Sequence, residues 1–229
     1  MFNVLRPCRI VIAATTFMAI SWGAVKADSM VINLGESHNG TAPFGSTPWL
    51  TADFESTTAG TVTLTLTNKM PTAEFAPLWL FNTSVNPSNL TFAYVSGPQP
   101  TSVTGGSTTG DPSIKAGTFN IEFDWTTANN SNRFKGGTTV VETITDMADH
   151  ITAASFDSLS TGSQGGFLSA AKIQGIPSGG GTASGTIVNS ASVPEPSSFV
   201  MAFTAILAML VIEVSRRHRR LASVVSVQG

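Results

Sequence analysis

The sequence predicts an all-β fold, a single antiparallel β-sandwich, and three observations lead to that prediction. Charged residues make up only 11% of the chain, and Thr, Ser and Asn are abundant, which is typical of exported β-proteins. Apolar and polar residues alternate strictly in several stretches, such as TVTLTLT at 61–67, which indicates strands with one buried and one solvated face. No long stretch has helical periodicity. A jelly-roll variant is equally compatible, because strand number does not fix topology.

The first 27 residues have the three parts of a secretory signal peptide. Arg6 and Arg9 supply a basic start, residues 10–22 are apolar, and Ala27 is a small residue in front of a cleavage point. The chain's one cysteine, Cys8, lies ahead of the apolar run. The mature protein is therefore expected to lack cysteine, so that it forms no disulfide and depends on a hydrophobic core.

An extracytoplasmic β-sandwich domain is predicted over residues 28–177. Turn-rich pieces lie at 97–111, 128–137 and 177–181, and short helical patterns at 146–150 and 169–174. Residues 178–193, rich in Gly, Ser and Ala, are predicted to form a last edge strand followed by a flexible stalk. The predicted strands are 30–34, 61–67, 78–81, 90–95, 118–125, 139–144, 151–156, 166–173 and 183–188.

The charges of the chain are segregated. The whole chain has a formal charge of −2, but residues 28–193 hold twelve acidic and five basic residues, which gives −7. An acidic body without a basic stripe argues against nucleic-acid binding. Residues 28–193 also contain no G-x-S-x-G or H-E-x-x-H motif and no glycine-rich phosphate loop. No enzymatic activity and no cofactor are therefore expected.

The C-terminal part predicts a transmembrane helix over residues 197–214. Residues 199–212 are apolar except for Thr204. This run is short for a bilayer, but together with the two residues on each side, over 197–214, it is just long enough to span. Four arginines follow the helix and stop transfer, with the C-terminus in the cytoplasm and the body exported. Residues 221–229 form the cytoplasmic end. The arginines are Arg216, Arg217, Arg219 and Arg220.

The order of these C-terminal features is specific. Val193-Pro194-Glu195-Pro196 precedes the apolar segment, and the arginine-rich tail follows it. This arrangement, over residues 194–220, resembles the PEP-CTERM sorting signal, which an exosortase, a membrane cysteine protease, processes in Gram-negative bacteria that make exopolysaccharide. The two prolines keep the preceding strand extended and accessible to a cleft. The resemblance implies a precursor tethered to the inner membrane and a mature body at the cell surface or in the extracellular matrix.

The body is also similar to a soluble domain often found in front of this signal. Three stretches carry the similarity: GTVTLTLTN at 60–68, FDWTTANNSNRF at 123–134 and AAKIQGI at 170–176. The family context implies association with exopolysaccharide or biofilm. It does not assign a biochemical activity to the domain.

Tryptophans are the candidates for a sugar-binding surface. Trp79 and Trp125 are in phase with Phe81 and Phe123, which predicts that they belong to the core. Trp49 lies in the Pro-bounded segment GSTPWL and is the residue that we expect to be exposed and to contact sugar. The alternative function is accordingly a carbohydrate-binding module that engages exopolysaccharide.

Two polar groups offer other chemistry. Asp124, Asn129, Asn130 and Asn132 bring one carboxylate and three amides into one segment, and such oxygens can hold Ca²⁺. The segment lacks the spacing of an EF-hand loop, and Asn-rich turn chemistry with an Asp124–Arg133 pair explains it equally well.

A secreted hydrolase, the third class, would depend on Asp146, Asp149 and His150. The other histidine of the body, His38 in the turn-like ESHNG, is expected to be solvated. The leading interpretation is an exported, non-enzymatic surface or matrix protein that an exosortase sorts and cleaves.

Overall fold

The computed structural model describes residues 28–108, 112–148 and 150–189. This part of the chain is all-β, as predicted. It contains two short 3-10 helices, Pro87–Asn89 and Ala153–Phe156. The ten strands are β1 (Ser29–Gly40), β2 (Leu50–Thr58), β3 (Thr61–Asn68), β4 (Phe75–Phe81), β5 (Leu90–Ser96), β6 (Ser102–Thr108), β7 (Phe119–Asp124), β8 (Thr139–Asp146), β9 (Ser169–Ser178) and β10 (Gly181–Asn189).

Period-two alternation forms the strands where it was predicted. In β3 the apolar residues Val62, Leu64 and Leu66 are buried, while the threonines between them are half-buried on the outer face. Strand β7 repeats this pattern. Strand β4 is buried along its whole length because a second apolar cluster, built around Leu80 and Phe119, covers its outer face.

All ten strands belong to one antiparallel sheet, in the order β5-β8-β3-β2-β1-β10-β9-β4-β7-β6. The sheet curls over into a nearly closed cylinder, so that its two halves face each other across a shared aromatic core. The ring of Phe54 in β2 lies 5.5 Å from that of Phe81 in β4 and stacks on Phe156 at 3.9 Å. The antiparallel β prediction is confirmed, with hydrogen bonding continuous across both halves.

The last strand corrects the predicted domain boundary. Residues 178–193 were expected to form an edge strand and stalk, but β10 lies inside the sheet between β1 and β9. Thr186, Ile187 and Val188 are buried there. The small residues of this segment suit close packing between two neighbours, so the sheet extends to Asn189, beyond the predicted end of the domain at 177.

Several elements differ from the sequence prediction. Strands β2 and β6 were not predicted: β2 was overlooked although Leu50, Ala52 and Phe54 alternate with polar residues, and β6 lies in 97–111, which was interpreted as a turn. The expected strand at 151–156 contains instead the 3-10 helix Ala153–Phe156. Its first backbone N–H groups donate to side chains: that of Ala153 to Ser56 Oγ and that of Ala154 to Asp28 Oδ2. The helical patterns at 146–150 and 169–174 are the end of β8 with its turn and the start of β9.

Strand β10 runs toward the end of the cylinder at which β1 begins. Strand β1 begins at Ser29, and antiparallel β10 finishes opposite Leu34 of β1. The loop 97–101 between β5 and β6 lies at the opposite end, because β5 runs alongside β8 away from Asp146. This geometry sets the start of β1 at one end of the cylinder and the site described next toward the other.

Candidate functional site

The most distinctive feature of the surface is a groove along the seam of the sheet. Strands β5 and β6 are the two edge strands, and they lie next to each other without a hydrogen-bonded ladder between them among the described residues. Their side chains and the loop 97–101 border an open groove of about 530 Å³. We call it the seam groove. It is lined by Leu90, Thr91, Phe92, Tyr94, Gln99, Pro100, Thr101, Ser102, Val103 and Glu142.

Glu142 lies at the inner side of the seam groove. It occupies β8 between Val140 and Ile144, on the core face, and its cross-strand neighbours are Leu64 and Tyr94. Its exposed fraction is only 1%. Oε1 has no hydrogen-bond partner among the described residues, and burial raises the pKa of the Glu142 carboxyl to about 7.

Tyr94 stands at the rim of the groove, with 42% of its surface exposed. Its hydroxyl donates to the carbonyl oxygen of Gly97 at 2.5 Å, which fixes the ring. Gly97 has φ +95°, and a Cβ there would lie 2.0 Å from the carbonyl oxygen of Thr139, so only glycine fits. The ring therefore stands on a turn that cannot shift without breaking these contacts.

The loop that closes the groove is anchored on its other side as well. The Trp125 indole N–H donates to the carbonyl of Pro98 at 3.0 Å, and the Thr101 N–H donates to the carbonyl of Asp124 at 2.7 Å. Ser102 Oγ donates to the Asp124 carboxylate at 3.0 Å. The walls of the groove are thus held in place by the core.

The chemistry of the lining is neutral and polar on an apolar floor. No Lys, Arg or His is among the described residues that line it, and Glu142 is its one acidic side chain. Thr91, Thr101 and Ser102 supply hydroxyls and Gln99 an amide, while Phe92 and Val103 supply apolar surface. Such a lining can hold an uncharged molecule that has both C–H and O–H groups.

A second surface groove, of about 630 Å³, is lined by Arg133, Phe75 and parts of β9 and β10. The Arg133 guanidinium lies 4.1 Å from the centroid of the Phe75 ring, and it donates to the carbonyls of Thr127 and Ala128. The arginine therefore fastens its own loop to the sheet, which gives it a structural role.

The prediction for Trp49 is wrong. Its exposed fraction is 7%, and it belongs to the main core. The indole N–H donates to the carbonyl of Gly45, and the Trp49 N–H donates to the carbonyl of Leu34, so the loop before β2 folds inward. Trp79 and Trp125 are buried, as predicted.

Two of the four predicted calcium ligands, Asp124 and Asn130, use their side-chain oxygens for hydrogen bonds within the protein. The Asp124 carboxylate accepts from Ser102 rather than pairing with Arg133. Asn130 Oδ1 accepts from the Asn132 N–H at 2.9 Å, a local turn, and Asn129 is exposed beside it. Among the described residues no three His, Cys, Asp or Glu side chains form a metal-binding group. Calcium binding by this loop stays a prediction.

The hydrolase candidates are placed by the turn after β8. Asp146 is buried, and its carboxylate accepts the backbone N–H groups of Ala148 and His150. The His150 side chain is exposed, and Asp149 lies outside the described residues. Asp146 thus stabilises a turn. The His38 ring lies on β1, where Nε2 is 2.8 Å from the carbonyl oxygen of Lys115.

The predicted signal peptide and sorting signal cannot be compared with the fold. Residues 1–27 and 190–229, including Val193–Pro196, the helix 197–214, the four arginines and the end 221–229, lie outside the described residues. Within the described ranges, no helix has the length and apolar character needed to cross a bilayer.

Of the two residues that define the seam groove, sequence reasoning missed Glu142, and it preferred Trp49 to Tyr94 as the exposed aromatic residue. One signal was present: Glu142 falls in phase with Val140 and Ile144 in a period-two strand, so a carboxyl group occurs where burial is predicted. Comparison with protein-family models, with curated proteins and with solved structures finds no match for this chain.

Proposed function

We propose that this chain is an exported, non-enzymatic protein of the cell surface or of an exopolysaccharide and biofilm matrix, sorted and cleaved by an exosortase-type membrane protease. The observation that carries the proposal is the order of Val193–Pro196, the apolar segment 197–214 and the arginines from Arg216 to Arg220. An N-terminal signal peptide and a cysteine-free, acidic β-domain fit this route.

The geometry of the body supports the same proposal. Strand β10 ends at Asn189, so only three residues separate the sheet from Val193. At roughly 3.3–3.6 Å per extended residue, the motif would begin within about 14 Å of Asn189 and end within about 25 Å of it. Strand β10 runs toward the end of the sheet at which β1 begins, so a precursor held at the membrane through either terminus keeps that end toward the lipid.

Intact-mass analysis of the extracellular protein tests the proposal. The expected species begins near Asp28 and ends near residues 193–196, without the apolar segment. Replacing Pro194 and Pro196 together by Ala should leave an uncut, membrane-bound precursor, while Ser197→Ala serves as the matched control and is processed normally. Secretion of a species that retains Arg216–Arg220 would exclude cleavage at this signal.

A carbohydrate-binding module is the second candidate. Trp49 does not support it, but the seam groove does, because its uncharged hydroxyl, amide and aromatic lining suits a sugar. Co-sedimentation of the protein with the exopolysaccharide of the producing cell measures this function. Absence of the protein from the polysaccharide pellet at low and at physiological salt would exclude it.

A further inference from the structure

A buried carboxyl with an unpaired oxygen indicates that the seam groove is a binding site. Most buried polar atoms in proteins have a partner, and leaving one without a hydrogen bond is costly. The side chain of Glu142 lines the groove while its Oε1 lacks a partner among the described residues. Oε1 is shielded from solvent, so a ligand hydroxyl in the groove would supply the missing hydrogen bond after rotation of the Glu142 carboxyl toward it.

The walls limit the ligand to an uncharged one. The described lining contains no basic side chain that could neutralise an anion. A metal ion needs several oxygen ligands, usually with more than one carboxylate, and Glu142 is the one acidic side chain here. Near neutral pH this carboxyl is partly protonated, so it can both donate and accept a hydrogen bond, as a ligand hydroxyl requires.

The rim supplies a fixed aromatic platform. The Tyr94 ring is held by the hydrogen bond from its hydroxyl to Gly97, and its exposed surface lies beside Gln99 and Thr101 in the lining of the groove. A tyrosine that is already ordered loses little entropy on binding. A pyranose has an apolar C–H face that matches such a ring and a hydroxyl edge that matches the polar groups.

We infer that the seam groove binds one neutral sugar unit, stacked on Tyr94 and hydrogen-bonded through its hydroxyls to Glu142 and to the Gln99–Thr101 side of the rim. The inference rests on the second candidate function and specifies its site. The volume of about 530 Å³ is in the range of about 300–1,000 Å³ found for small-molecule sites.

Saturation-transfer NMR on the purified full-length chain tests the inference, in a detergent without a sugar headgroup. The probes are the methyl glycosides of glucose, galactose, mannose and N-acetylglucosamine. At least one should bind. Tyr94→Ala and Glu142→Leu should each weaken that binding at least tenfold, while Tyr94→Phe, which keeps the ring, should lose about threefold or less. Phe44→Ala removes an aromatic ring that is 54% exposed and does not line the groove, and it should have no effect.

The possible results distinguish a failure of the seam-groove site from a failure of the carbohydrate-binding function. Glu142→Leu removes the polar group without removing bulk, and its thermal unfolding shows whether lost binding reflects an unfolded protein. Unchanged glycoside binding by Tyr94→Ala and Glu142→Leu would overturn the site but leave a carbohydrate-binding function. Binding of the exopolysaccharide without any methyl glycoside would overturn the single-unit site. Binding of Ca²⁺ or an alkylamine, with no glycoside bound, would overturn the inference that the ligand is uncharged.

Discussion

Glu142 occupies a position where strand periodicity requires an apolar side chain. Its neighbours along β8 and across β3, Val140, Ile144 and Leu64, all belong to the core. A carboxylate is poorly stabilised there, and the raised pKa of Glu142 expresses that cost. The same burial that makes the residue unfavourable for the free fold leaves it ready to bond a ligand hydroxyl.

The pH dependence of stability should reveal this carboxyl. The folded-state pKa of Glu142 is about 7, against an ordinary value of 4.5 for a glutamate, so between those values the folded protein keeps a proton that the unfolded chain has released. Stability therefore falls as pH rises through this window, by up to about 1.4 kcal/mol per pH unit for a single group. Glu142→Gln should be more stable than the parent at pH 8.5, and this advantage should shrink toward pH 4.5.

Urea unfolding of parent and Glu142→Gln at pH 4.5, 6 and 8.5 measures that difference. Burial also raises the pKa of Glu74, which acts in the same direction in both proteins, so the difference between them isolates Glu142. The other ionisable groups at the groove are Tyr94, which lines it, and Asp124, which accepts from Ser102. A stability difference that does not change with pH would contradict the prediction.

The three tryptophans of the β-domain show which side chains can be predicted to be buried from the sequence. Trp79 and Trp125 were predicted to be buried because they share the phase of Phe81 and Phe123, and the alternation of a strand fixes that phase. Trp49 precedes β2 in a loop without periodicity. Its burial depends on the long-range bond from its N–H to Leu34, which composition does not reveal.

Strand β10 is the element that sequence reasoning placed least well. Its Gly, Ser and Ala content is typical of a linker, yet it pairs with β1 on one side and with β9 on the other. Small side chains are favourable at such a place: a Cβ on Gly185 would lie 2.1 Å from the carbonyl oxygen of Thr41. Composition alone cannot separate a segment that avoids packing from one that packs closely.

Truncation tests the role of β10. A chain that ends after Ser178 loses the buried Ile187 and Val188, whose burial contributes about 3–6 kcal/mol, and exposes the edges of β1 and β9. That loss is comparable to the total stability of about 5–15 kcal/mol of a typical domain, so the truncated chain should not fold. Circular dichroism and protease resistance measure this.

A chain that ends after Asn189 is the matched control, because it keeps all ten strands. It should unfold cooperatively with a midpoint close to that of the longer protein. Cooperative unfolding of the Ser178 truncation at the same midpoint would show that β10 is a dispensable strand, as an edge position would allow, and not an integral part of the sheet.

At the scale of the molecule, the start of β1 and the loop 97–101 lie at opposite ends of the cylinder, and β10 runs toward the start of β1. A strand rises about 3.3 Å per residue, so strands of seven to nine residues separate the two ends by roughly 25 Å. A body tethered through its C-terminus would therefore hold the loop end of the seam groove away from the membrane.

Fluorescent labels at the two ends test this orientation in the membrane-tethered precursor. Ala59→Cys, between β2 and β3, marks the end at which β1 begins, and Gln99→Cys marks the groove loop; both residues are exposed. Cys8, the one natural cysteine, lies in the predicted signal peptide. A lipid-bound quencher should quench the label at residue 59 at least twice as strongly, and equal or reversed quenching would contradict the proposed orientation.

The sequence alone determined the all-β class, the buried faces of β3, β7 and β8, and the burial of Trp79 and Trp125, because period-two alternation is a local property. It also predicts the export and sorting segments from their order. Tertiary structure decided the inclusion of β10, the burial of Trp49 and the seam where β5 and β6 meet without pairing. These features depend on which distant strands become neighbours, since closing the sheet brings Glu142, Tyr94 and Ser102 to one groove.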